Sequence, residues 1–224
     1  MPVLLDGKPG TGKTAFAKAL AEVLKVPFYG INLGGTSAGF VLKGSASQWG
    51  SSREGQILSA LATSTCANPV LLLDEIDKAT GDKQYNVEPV LLELLEPATA
   101  RRFTDEFAPL TFNAAHGIYI GTSNNTAKLS RPLLSRFEVI SIPPPDQDQR
   151  LLIAKNMVEQ QFSNLEFDED ALWVLAGRAS NLRTLQRLIR KVVASYVTHR
   201  CRDSASASPP GRVTVFHAEQ ICHL

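Results

Sequence analysis

Two short clusters of residues have the types and spacings that phosphate chemistry requires. The first is GKPGTGKT, residues 7–14, with glycines at 7, 10 and 12 followed by Lys13 and Thr14. It fits G-x-x-x-x-G-K-[ST] and stands after an apolar run and ahead of a helical pattern, where such a loop belongs. Glycines let backbone N–H groups converge on phosphate oxygens, and the positive end of the following helix adds attraction. The expected cradle is Gly7, Lys8, Pro9, Gly10, Thr11, Gly12, Lys13, Thr14 and Ala15. Lys13 would neutralise the outer phosphates, and the Thr14 hydroxyl would hold Mg²⁺.

A triphosphate also needs a carboxylate site that holds the metal and activates water. VLLLDEID, residues 70–77, supplies one at the end of an apolar run. Asp74 is expected on Mg²⁺, directly or through water, and Glu75 as the base that orients and deprotonates the attacking water. An acidic pair after a strand is, by itself, as often a solvated turn. The phosphate loop earlier in the chain decides for chemistry.

These residues need a scaffold, and its pattern is visible. Short apolar runs alternate with amphipathic segments, as in a parallel sheet covered by helices. Strands are predicted at 2–6, 27–33, 69–74, 117–123 and 137–142, with helices at 13–25, 54–65 and 86–96. Pro89 would sit in the first turn of the last of these, where its missing N–H costs nothing. The proline run in PPPDQDQ, residues 143–149, cannot continue a strand and reads as a hinge. Helices are predicted beyond it at 146–162, 168–178 and 181–200, then a low-complexity loop at 203–212 and a short extended piece in RVTVF. The expectation is an α/β fold with a five-stranded parallel sheet over 1–142, followed by a small all-helical lid over 146–224.

Composition narrows the function classes. The 224 residues carry a formal net charge of +1, so the overall balance favours neither nucleic acid nor an acidic partner. No stretch approaches the roughly 18 apolar residues of a membrane span, and PVLL after Met1 is too short for a signal-peptide core. Cys66, Cys201 and Cys222 lack metal-ligand spacing and read as reduced thiols of a cytoplasmic protein.

Together with GKPGTGKT, the segments INLGG, KGSASQWGSSREGQIL, NPVLLLDEIDK, LLELLEP, FAPLTF and GTSNNTAKLSRPLLSRFEVI resemble the AAA+ ATPases, and within them the ATPase module of the Lon protease family. The resemblance runs through most of the chain and ends with the lid, without a stretch for a peptidase domain. It implies ATP as substrate with Mg²⁺, a ring of identical subunits, six in number, and a polypeptide as the load. A separate protease or an N-terminal substrate-binding part would be a further partner, and a membrane or nucleic acid would not. AAA+ modules usually place an adenine-contacting segment ahead of the first strand, and this chain starts at that strand, as a fragment or a bare module would.

The resemblance also assigns single residues. Asn124 matches the first sensor, which positions water near the γ-phosphate. Arg136 in PLLSRF matches the arginine finger, which acts on the neighbouring subunit's site; Arg131 could share or replace it. Arg183 in NLRTLQR matches the second sensor, with Arg178 and Arg187 as alternatives. A local argument adds that Asn181 can cap a helix, placing Arg183 in its first turn against the helix dipole. Trp49, in the otherwise polar SQWGSSREG, matches the aromatic of the loop that grips polypeptide in the ring's channel. Local packing and another protein interface are the alternative readings of this tryptophan. This chain departs from the family in TSAGFVL after LGG and in the QWG order.

Two other readings stay open at this stage. A nucleic-acid motor would use the same hydrolytic residues, and LRTLQRLIRK is basic, though no aromatic residues interleave with it. A nucleotide switch that does not hydrolyse is opposed by the presence of Asp74, Glu75, Asn124 and Arg136 together.

Overall fold

The computed structural model describes residues 1–34, 38–45, 52–79, 86–202, 212–214 and 218. Its compact units are two: residues 1–8 with 12–142, and residues 9–11 with 143–224.

The first unit starts with strand β1 (Val3–Asp6), helix α1 (Lys13–Leu24) and strand β2 (Phe28–Asn32). Helices α2 (Ala38–Lys43) and α3 (Gln56–Thr63) lead to strand β3 (Val70–Asp74), followed by α4 (Ile76–Ala79), α5 (Glu88–Leu95) and α6 (Pro97–Ala100). A hairpin of β4 (Phe103–Asp105) and β5 (Leu110–Phe112) precedes β6 (Ile118–Ser123), a 3₁₀ turn at Thr126–Lys128, α7 (Arg131–Leu134) and β7 (Glu138–Ser141). The five long-range strands are parallel, in the order β2-β3-β6-β1-β7. Each of the five predicted strands is present, within a residue or two of its expected ends.

The strand sequences explain why. Val70–Leu73 are all buried, as expected of an inner parallel strand covered on both faces. Alternate residues serve opposite layers: Leu71 and Leu73 join a core with Leu4, Ile57 and Leu91, whereas Val70 and Leu72 pack with Leu5, Ala17 and Ala21 of α1. Helix α5 carries Pro89 in its first turn and buries Leu91, Leu94 and Leu95. Helix α1 ends at Lys25, whose φ of 56° puts it in the left-handed region that terminates helices.

The hairpin β4–β5 and the short helices α2, α4, α6 and α7 were not anticipated. Each is three to six residues long, too short for a periodic signal to separate from its flanks. Phe103 and Phe112 meet edge-to-face across the hairpin, at 5.7 Å between ring centroids.

The second unit holds α8 (Gln147–Gln161), β8 (Glu166–Phe167), α9 (Glu169–Arg178), α10 (Leu182–Arg202) and β9 (Arg212–Val213). The proline run ends at Asp146, which caps α8 reciprocally with Gln149. Leu185, Ile189 and Val192 of α10 pack with Leu172, Leu175 and Val158. The second unit is not purely helical: β8 and β9 form a two-residue parallel pair, with Phe167 opposite Val213. Residues 212–213 of the expected extended piece therefore do pair.

Candidate active site

The carboxyl ends of β1, β3 and β6 bring the chemistry together, the usual place for a ligand in an open parallel sheet. After β1 the loop turns through Gly10 and Gly12, with φ of 79° and 99°. Side-chain-bearing residues adopt such values only with strain, so the glycines at these two positions are required by geometry. Gly7 anchors the loop to β6 through its N–H, donated to the Ser123 carbonyl at 3.1 Å.

Lys13 opens α1 yet is only 8% exposed. Its ammonium donates to the carbonyls of Gly7 (2.5 Å) and Lys8 (3.1 Å) and to Asn124 Oδ1 (3.0 Å). Burial lowers its pKa from the ordinary 10.5, while Asp6, Asp74, Asp77 and Glu75 act in the opposite direction. A cation ringed by four acids and carbonyl groups is held where phosphate charge would arrive.

Thr14 Oγ1 lies 3.5 Å from Asp74 Oδ2. Two hard oxygen donors side by side suit Mg²⁺, which keeps much of its water and takes few protein ligands. Thr14 and Asp74 are the residues that would hold it, and the ion would offset charge on the phosphate oxygens. The other oxygen of Asp74 accepts the Thr122 hydroxyl at 2.5 Å, and Thr122 Oγ1 in turn accepts the Glu75 N–H at 2.9 Å. Thr122 is 2% exposed. One hydroxyl therefore fixes both the expected metal ligand and the backbone of the expected base.

Glu75 stands immediately after β3 with φ of 60°. For a residue with a Cβ this conformation costs on the order of 1–2 kcal/mol, and such strain collects at working sites. Its Oε1 pairs with the Lys78 ammonium at 2.6 Å, and its Oε2 packs against Gly34. Asn124 adds a second tie, its N–H reaching Asp77 Oδ1 at 3.2 Å, and Asp77 is buried.

A family model described as ATPase family associated with various cellular activities (AAA) matches residues 3–144, which contain every group above. The chain belongs to the AAA ATPase family. It is also similar to curated Lon proteases: that of Malacoplasma penetrans at 29% identity over 93% of this chain, that of Mycoplasma mobile at 32% over 89%, and that of Clostridioides difficile at 31% over 87%. The chain spans about a quarter of the length of these relatives: 28%, 26% and 27% respectively.

In this AAA ATPase, Lys13 bonds to Asn124, and Thr14 lies beside Asp74, to which Glu75 is tied through Thr122. Arg136 has another partner: its Nη1 meets Glu96 Oε2 at 3.0 Å, while its Nε is buried without a hydrogen bond. Arg131 is exposed on α7. Arg183 is exposed in the first turn of α10, where Asn181 Oδ1 accepts the Thr184 N–H at 2.9 Å, as a helix cap does. Trp49 lies outside the described residues.

Thr122, Asp77, Asp6 and Gly34 were absent from the sequence-based site. Thr122 was within sight, two residues before Asn124 in GTSN, but a threonine in a buried strand carries no signal of its own. Asp6, whose Oδ1 is buried without a hydrogen bond, ends β1 directly ahead of the phosphate loop.

Proposed function

We propose that this chain is a Mg²⁺-dependent ATPase module of a ring-forming machine that unfolds or remodels polypeptides, using hydrolysis of ATP to ADP and phosphate. The convergence of Lys13, Thr14, Asp74 and Asn124, with Glu75 held by Thr122, supports the hydrolytic part. Glu75 takes the proton from water, Asn124 orients that water, and Lys13 neutralises charge on the phosphates. Similarity to Lon proteases along up to 93% of this chain, through the second unit as well as the first, supports polypeptide as the load.

In this reading six copies form the ring, Arg136 acts on a neighbour's nucleotide, Arg183 senses it from the lid, and Trp49 grips the polypeptide. The second unit is the lid, and the module works in the cytoplasm. No described helix is long and apolar enough to cross a membrane. No peptide-bond cleavage is assigned to these residues; a separate protease part would perform it.

Steady-state ATP turnover with and without an unfolded polypeptide, on the parent and on Trp49→Ala, tests the reading. Stimulation by polypeptide that disappears in Trp49→Ala is the expected result. Turnover indifferent to both would leave an ATPase with a different load.

One observation favours a nucleic acid as that load. Arg183, Arg187, Arg190 and Lys191 line a single exposed groove on α10. Salt-sensitive DNA binding, lost on reversing Arg187 and Arg190 to Glu, would select this second reading.

A further inference from the structure

Helix α5 begins on one glutamate and is capped at its other end by a second, and each holds one end of α7. Glu88, in the first turn, accepts the Ser130 hydroxyl through Oε1. Ser130 is the N-cap of α7, its Oγ accepting the Leu133 N–H at 3.3 Å. Glu96, the C-cap of α5, meets Arg136 two residues past α7, with Oε2 and Nη1 3.0 Å apart. Between these two ties, Leu91 and Leu94 of α5 share one buried cluster with Leu133 of α7.

Both partners of the Glu96–Arg136 contact grow from fixed backbone. The Glu96 carbonyl accepts the N–H groups of Thr99 and Ala100 at 3.1 and 2.9 Å, where α6 starts. Arg136 donates its N–H to the Leu133 carbonyl at 3.1 Å, and Phe137 donates to that of Leu134 at 3.1 Å. Phe137 is buried, and a Cβ on Gly121 would lie 3.2 Å from its ring. Gly121 immediately precedes Thr122, so the root of Arg136 is anchored beneath the site. What remains variable is the length of two flexible side chains, and their pairing restricts it.

The pairing contributes little to folding. The two side chains are 40% and 35% exposed, and ion pairs in such surroundings are screened by water. It also uses the guanidinium sparingly. That group carries five N–H donors in a planar fork that matches phosphate oxygens. One Nη meets Glu96, and the 40% exposure leaves the side chain open to an anion arriving from outside the chain. An untethered arginine spreads over many rotamers and must give up that freedom to bind, a cost that preorientation removes.

We propose that Glu96 is a positioning residue for Arg136, holding the guanidinium aimed at the phosphates of a neighbouring copy's nucleotide. Glu88 and Ser130 fix the opposite end of α7, so the arginine keeps its place relative to the sheet. This inference rests on the ring-forming reading above, in which Arg136 acts on a neighbour's site.

The test measures ATP turnover of Glu96→Gln alone and mixed with Glu75→Gln. Alone, Glu96→Gln is expected to lower maximal turnover about tenfold, a part of the roughly 10³–10⁵ that such an arginine supplies, and to leave the KM for ATP within about twofold. Adding inactive Glu75→Gln subunits should then raise turnover per Glu96→Gln subunit toward the parent. A mixed boundary sets an intact Glu75 opposite an Arg136 still held by Glu96. A residue that merely supports its own fold would leave the subunit slow in every mixture, and that result would overturn the proposal. So would Glu96→Gln turnover equal to or above the parent's, since Glu96 would then be idle or a restraint on Arg136. Glu96→Asp covers a Glu96→Gln that does not fold, because aspartate suits the N-cap of α6 yet is one methylene shorter in reach. The same loss and recovery are expected of it, and a loss without recovery would overturn the proposal equally. Arg136→Ala mixed with Glu75→Gln separates the two readings. If that mixture recovers no turnover, Arg136 does not act across subunits, and the inference falls with it.

Discussion

Gly34 and Glu75 are packed so closely that a methyl group on Gly34 would collide with Glu75 Oε2. The contact comes from the sheet: β2 and β3 run in register from Phe28 opposite Val70 to Asn32 opposite Asp74, so the residues just past both ends share one small space. Asn32 completes the arrangement by accepting the Gly34 N–H at 2.8 Å. Gly34→Ala is expected to displace the Glu75 carboxylate and lower ATP turnover about 10- to 100-fold, part of what a positioned general base supplies. Equilibrium nucleotide binding should stay within about twofold, since a twofold change corresponds to well under 1 kcal/mol. A fall in affinity with unchanged maximal turnover would remove Gly34 from the placement of Glu75.

Thr122 is expected to tolerate replacement poorly despite carrying no charge. In Thr122→Val the shape is kept, but the Glu75 N–H loses its acceptor and Asp74 loses a donor. Leaving a buried donor unsatisfied costs about 1–3 kcal/mol, to be read from chemical denaturation. Turnover should fall more than stability accounts for. Unchanged denaturation and turnover would mean that water replaces the hydroxyl fully.

The pair Arg136–Glu96 gives a test across subunits. Glu75→Gln should lower turnover about 10²- to 10⁴-fold, the usual worth of a general base, and Arg136→Ala should abolish turnover while ATP still binds. If Arg136 acts on a neighbouring site, mixing the two inactive variants restores activity, because an intact Arg136 then faces an intact Glu75. Failure of every mixing ratio to recover turnover would place the action of Arg136 within its own chain.

Lys13 predicts a sign in the pH dependence of stability. Burial lowers its pKa below 10.5 in the folded protein. Between the lowered value and 10.5 the unfolded chain holds a proton that the folded chain has released, so stability contributed through this lysine rises with pH. The parent-minus-Lys13→Met difference in unfolding free energy should therefore be flat near neutrality and grow as pH approaches 10.5. Tyr119, whose phenol burial pushes well above its ordinary 10.0, acts in the opposite direction above that pH, but is common to both proteins and cancels. A difference independent of pH would assign Lys13 its ordinary value.

Much of this was legible in the sequence because it rests on local rules. A loop of glycines ending in Lys13–Thr14 has the same backbone requirements wherever it occurs, and strand β3 announces itself by its unbroken apolar run. The capping role of Asn181 follows from its position relative to the helix that it starts. Less legible were groups defined by what lies across the sheet. Thr122, Gly34 and Asp105 are unremarkable in their own neighbourhoods, and their partners stand 47, 41 and 50 positions away.

The chain by itself therefore determined the succession of the five parallel strands and the longer helices, and the glycine loop that joins β1 to α1, because spacing and backbone preference act over a few residues. Only the tertiary structure decided which hydroxyl orients Asp74 and Glu75, which glycine admits the Glu75 carboxylate, that Arg136 rests on Glu96, and that the Asp105 carboxylate accepts the Gly55 N–H. Those relationships depend on the register between parallel strands and on packing across the sheet, where distances of about 3 Å are set by parts of the chain that carry no sequence signal for one another.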